Sequence, residues 1–160
     1  MMAASLLLAG PALAVENFEA DLGFAPYDDA TRSDMAGHGA ATATLDGNKM
    51  TIQGSFEGLK SPATVAQLRL GRGIAVPGAA IFELTIKPGT DGDLSGTIAL
   101  TASQAKALRA GWLYIQVESV KLAAPYGNLW GWLLPAREKA ADGVVERGQR
   151  FLPQLDLPQK

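Results

Sequence analysis

From Asn17 to Pro135 the chain is written in short runs whose apolar residues recur at every second position, each run stopped by glycine, proline or an Asp-Gly pair. Alternate residues of a strand point to opposite faces, whereas a helix repeats every 3.6 residues, so this punctuation constrains the fold more than any other feature. The runs are 17–24 (NFEADLGF), 40–45 (AATATL), 49–59 (KMTIQGSFEGL), 63–70 (ATVAQLRL), 79–87 (AAIFELTIK), 93–100 (DLSGTIAL), 112–119 (WLYIQVES) and 128–135 (NLWGWLLP). Asp46-Gly47 between the second and third is a hairpin signal. Regular short strands with Gly/Pro turns predict an all-β antiparallel sandwich of about eight strands. One short connecting helix interrupts them: Thr101 and Gln104 form a capping box, and Gly111 stands where a C-terminal glycine cap belongs.

With 160 residues, 48% of them hydrophobic, the chain has material for a single domain with a real core. A formal charge of −2 and the lack of any Lys/Arg run argue against nucleic acid as a partner. The first residues differ in character from the rest. Leu6 to Ala9 is apolar, and the small residues Ala12 and Ala14 fit a secretory cleavage site. Residues 1–14 are therefore read as a signal peptide, short at its start, and the protein as periplasmic or secreted. No other stretch approaches the ~18 apolar residues of a membrane span. There is no cysteine, which removes thiol catalysis, haem attachment, iron–sulfur clusters and thiolate zinc sites. An exported domain without disulfides is held by its core alone.

After Pro135 the pattern changes. Ala140, Val144, Val145, Phe151 and Leu152 form a partial apolar stripe at helical spacing, interrupted by Gly143 and Gly148. Each glycine costs about 1 kcal/mol relative to alanine inside a helix, so a helical tail over 136–160 needs a surface to lie against.

The stretch 63–71, ATVAQLRLG, has two faces of different character: Thr64, Ala66, Leu68 and Leu70 on one, Val65, Gln67 and Arg69 on the other. Together with GSFEGLKSPAT, LTASQAKALRAGWLYIQV and GNLWGWL, it makes residues 17–135 resemble the CHRD domain, the module repeated in chordin and found singly in exported bacterial proteins. The resemblance implies an immunoglobulin-like or superoxide-dismutase-like sandwich over residues 15–135. It also implies a polar or metal site of histidines at the positions of Gln67, Arg69 and Glu118. Here all three are replaced, and Gln, Arg and Glu do not substitute for neutral imidazole at a transition metal. The charges of Arg69 and Glu118 are complementary, so an ion pair flanked by Gln67, with Gln116 or Tyr114 on the Glu118 face, is expected in place of the site.

The sequence gives no catalytic constellation. The one histidine, His38, lies between glycines with no G-x-S-x-G elbow anywhere. Asp91 and Asp93 lack the remaining positions of a calcium loop and read as a hairpin turn. Trp130 and Trp132 share one strand face, which is either core or a docking patch. The expectation is a non-enzymatic interaction module without metal or cofactor, an accessory subunit docking to a protein partner through Val144, Val145, Phe151 and Leu152, with Trp130 and Trp132 as further contacts. VVERGQRFL resembles the helix before the haem motif of some bacterial c-type cytochromes, so a periplasmic electron-transfer complex is one setting. The alternatives are a small-ligand or carbohydrate-binding domain and a metal-dependent oxidoreductase of superoxide-dismutase-like fold.

Overall fold

A computed structural model describes residues 14–136. The strands are β1 (Glu16–Phe24), β2 (His38–Asp46), β3 (Lys49–Glu57), β4 (Ala63–Leu70), β5 (Ala79–Ile86), β6 (Gly92–Ala99), β7 (Leu113–Ser119), β8 (Leu129–Trp132) and the two-residue β9 (Leu134–Pro135). A single-turn 3-10 helix lies at Arg32–Asp34, and α1 (Ala102–Arg109) joins β6 to β7. The expected signal peptide and helical tail lie outside the described residues.

All pairings between strands are antiparallel, in the order β2-β3-β6-β5-β4-β7-β8-β1, and β1 pairs again with β2. The sheet therefore closes on itself as a barrel of eight strands, with β9 laid against Phe18 and Glu19. A sandwich would keep two sheets apart. Here two strands belong to both halves. Glu16–Leu22 of β1 pairs with β2 while Gly23–Phe24 pairs with β8. Likewise β5 pairs with β4 over Ala79–Leu84 and with β6 at Thr85 and Ile86. Closure leaves few unpaired edges, which removes the chief aggregation hazard of an all-β chain.

The interior follows the alternation: Phe18, Leu22, Leu45, Met50, Ile52, Leu68, Leu94, Ile115 and Leu129 are all buried. The small residues of β2 fit between larger neighbours, Ala43 standing between Phe18 and Ile52 in register. Gly131 is required on β8, because a Cβ there would lie 2.4 Å from Leu22 Cδ2 and 2.8 Å from the Asp21 carbonyl.

The helix is specified at both ends. Thr101 Oγ1 accepts from the Gln104 N–H at 3.2 Å and Gln104 Oε1 accepts from the Thr101 N–H at 2.9 Å, closing the capping box. At the other end Gly111 has φ +72°, the Trp112 N–H donates to Ala107 O and the Gly111 N–H to Leu108 O, both at 2.9 Å. That is a Schellman closure, and it turns the chain directly into β7. Arg109 reaches Glu16 with Nε and Nη2, at 2.6–3.0 Å. Those bonds hold the Glu16 carboxyl below its ordinary range.

Thr101→Ala is expected to lower stability by about 1 kcal/mol, read from the urea midpoint. For Glu16 the folded-state value is the lower one, so its contribution is present above the unfolded carboxyl's pKa and fades as pH falls from about 4.3 downward. Glu16→Gln is expected to be less stable than the parent at pH 7 and to converge with it in acid.

Candidate functional site

The sequence left open what covers the polar face of β4. The register answers it. Across β4, β7 and β8, Arg69 stands opposite Tyr114 and Tyr114 opposite Trp132, while Gln67 stands opposite Gln116 and Gln116 opposite Trp130. Glu118 stands opposite Val65. These side chains occupy the outer face of the barrel, and β7 is buried along its whole length, on both faces.

Two polar networks divide this face. In the first, Arg69 Nε donates to Tyr114 Oη and to the Gly78 carbonyl, both at 3.1 Å, and Arg69 Nη1 donates to Gln67 Oε1 at 2.7 Å. The Tyr114 hydroxyl also accepts from the Gly78 N–H at 3.2 Å, pinning the 71–78 loop against the sheet. In the second, the buried Glu118 carboxylate accepts from Gln116 Nε2 at 3.2 Å and from the Ala124 N–H at 3.1 Å.

The expected Arg69–Glu118 ion pair does not form. Register is the reason: Arg69 is opposite Tyr114, and Glu118 is opposite Val65, four residues along β4 or roughly 13 Å away. The two glutamines lie between them. The three positions at which the resemblance implies histidines thus share a face but serve two separate structural tasks. Nor do they suit a metal. Arg69 is a permanent cation, Glu118 spends its oxygens on Gln116 and Ala124, and no cluster of three His, Cys, Asp or Glu side chains poised for a metal exists among the described residues.

Aromatic rings continue the row. Tyr114 lies 4.4 Å from Trp132 and 5.3 Å from Trp130 between ring centroids, and Trp130 lies 6.4 Å from Tyr126. Trp130 is buried and its indole N–H donates to the Tyr126 carbonyl, so it offers no docking surface. Trp132 is half-buried against Tyr114. Val144, Val145, Phe151 and Leu152 lie outside the described residues. His38 pairs with Glu57 at 2.9 Å, both exposed, and Asp91 caps a turn by accepting from the Gly58 N–H at 2.8 Å.

What covers Tyr114 and Trp130 is a pair of loops, 25–36 and 120–128. Ala25, Met35 and Leu122 join the two rings in a second apolar cluster separate from the barrel core. Asn128 ties the loops together, its carbonyl accepting from the Ala25 N–H at 3.0 Å and its Nδ2 donating to Ala36 O at 2.7 Å. Between the loops runs a cleft of ≈ 530 Å³ lined by Pro26, Tyr27, Met35, Leu122, Pro125 and Tyr126. Sequence reasoning missed it. The available signal is the tripeptide Ala-Pro-Tyr, which occurs at 25–27 and again at 124–126, and each copy supplies one wall.

A closed antiparallel barrel with one capped helix and a covered outer face defines a β-domain module. A comparison with protein-family profiles matches the CHRD domain over residues 20–129, and the chain belongs to the CHRD domain family, a family of β-fold domains of exported proteins. Comparison with curated proteins and with solved structures found no match.

Because Arg69 and Glu118 are separate, Arg69→Met and Glu118→Leu are expected to add within ~0.5 kcal/mol in a double-mutant cycle. Glu118→Leu alone leaves the Ala124 N–H without its acceptor and is expected to lower stability by about 1–3 kcal/mol, measured by urea unfolding.

Proposed function

We propose that the protein is a non-enzymatic interaction module of the periplasm, an accessory subunit that docks to a larger protein partner through its C-terminal segment, residues 136–160. The observation that supports this reading most is where that segment starts. The Ala136 N–H donates to Asn17 O at 2.8 Å, so the segment leaves from the edge of β1 at a fixed point. Beside it Leu134 and Ile74 both approach Gly111, and Leu134, Ile74 and the adjoining Trp112 are all exposed. A segment carrying the partial apolar stripe of Val144, Val145, Phe151 and Leu152, together with exposed Ile74, Trp112 and Leu134 beside its start, makes a two-part docking surface. A periplasmic electron-transfer complex fits as the partner on the likeness of VVERGQRFL to a cytochrome helix, with this chain contributing no cofactor of its own.

The test is affinity capture from the exported fraction of the native host, comparing the full chain with a full-chain Val145→Asp/Phe151→Asp variant and with Ile74→Asp. A stoichiometric partner retained by the parent and weakened at least tenfold by each variant is the expected outcome. A partner held equally by all three removes the segment and the patch from the interface.

A further inference from the structure

We propose that the cleft between the two Ala-Pro-Tyr loops is a binding site for a neutral pyranose ring of a glycan. The inference does not depend on the docking role of the C-terminal segment.

Its walls are aromatic and held in place. Tyr27 and Tyr126 are 50% and 51% exposed, an unusual share of open ring surface for residues that line a concavity. Tyr27 is braced by an edge-on contact with Phe24 at 6.5 Å and by the Arg32 guanidinium 5.8 Å from its ring centroid. Tyr126 is braced by Trp130, whose ring packs beside it and whose indole N–H holds its carbonyl. Proline precedes each tyrosine, and it fixes its own φ and restricts the alanine before it, Ala25 or Ala124. Beneath the second loop, Glu118 anchors Ala124, so one of the three replaced family positions now positions a wall of the cleft. Little rearrangement is left for a ligand to induce, which favours binding.

The chemistry of the cleft selects the ligand. Met35 and Leu122 make an apolar floor, and Asp28, Thr31 and Lys121 bring polar groups to the lining. Both charged groups there already have hydrogen-bond partners within the protein. Asp28 Oδ1 accepts from the Thr31 hydroxyl at 2.8 Å and from the Thr31 N–H at 3.0 Å, which holds its carboxyl below the ordinary range. Lys121 Nζ donates to Asp34 Oδ1 at 2.8 Å. Asp28 and Lys121 are the charged side chains of the lining and are opposite in sign, so the lining carries no net formal charge. Neutrality is what charge complementarity asks of the occupant. Aromatic walls with a polar edge match a ligand whose faces are C–H and whose edge is hydroxyl, and a pyranose ring is built that way. Asp28 and Lys121 retain acceptor and donor capacity for hydroxyls, as charge-assisted bonds. The volume lies within the range of small-molecule sites.

The experiment titrates the full chain with maltose, cellobiose and N,N′-diacetylchitobiose, following tryptophan fluorescence, to which Trp130 beside Tyr126 contributes, with calorimetry as the second readout. Saturable binding of at least one sugar is expected, weakened tenfold or more by Tyr27→Ala and by Tyr126→Ala. The conservative Tyr→Phe changes keep binding within about threefold, since the ring face and not the hydroxyl makes the contact. Unchanged urea midpoints show that the alanine variants remain folded. No binding of any of the three up to 50 mM, or binding indifferent to both tyrosines, overturns the proposal. So does a preference for p-cresol, a sulfated disaccharide or a proline-rich peptide, each identifying a different occupant.

Discussion

Leu113–Ser119 has no face left for water, and the rest of the molecule is arranged around that fact. Its inward residues, Leu113, Ile115 and Val117, belong to the barrel core, while Tyr114, Gln116 and Glu118 point outward and are buried nonetheless. A strand of an antiparallel sheet is ordinarily dry on one side only. Burying the second side demands a cover, and the cover must satisfy a phenol, an amide and a carboxylate. The 71–78 loop meets Tyr114, the 120–128 loop brings the Ala124 N–H to Glu118, and the 25–36 loop closes over Trp130. Among the described residues Gln116 Oε1, Asn128 Oδ1 and Ser119 Oγ are buried without a hydrogen-bond partner, and the first two lie in this layer.

Most of the scaffold was legible because local signals agreed with the global fold. The run 63–70 coincides with β4, the Asp46-Gly47 turn closes the β2–β3 hairpin, and the capping box and Gly111 delimit α1. Those features depend on neighbours in sequence. Closure does not. Whether the sheet stays open depends on β1 and β5 changing partners at Gly23 and at Thr85, and period two reads the same on either side of such a corner. Hence the expected sandwich became a barrel although seven of the eight expected runs coincide with strands, the eighth, 128–135, dividing into β8 and β9.

The replaced family positions show the same division. Face alternation put Gln67 and Arg69 together and Glu118 with Gln116, all of which the structure bears out. It carried no information on cross-strand offset, and charge complementarity alone joined Arg69 to Glu118. Opposite charges on neighbouring strands interact only where register brings them abreast. The cleft was invisible for a further reason: its walls come from loops about a hundred residues apart, joined through Asn128. Only the repeated tripeptide pointed there.

The short ladder between β1 and β9 has a mechanical meaning. Phe18 is registered with Pro135 and Glu19 with Leu134, so the two ends of the described chain leave side by side from one corner. Tension applied between them would not shear a long strand across many bonds at once. It would load the outermost rung first, Ala136 on Asn17, and peel the ladder rung by rung. On the β1 side the same pull loads Glu16 on Leu45, the first rung of the longer ladder between β1 and β2. A partner tugging on the C-terminal segment would thus meet a soft hinge of two residues in front of a rigid body.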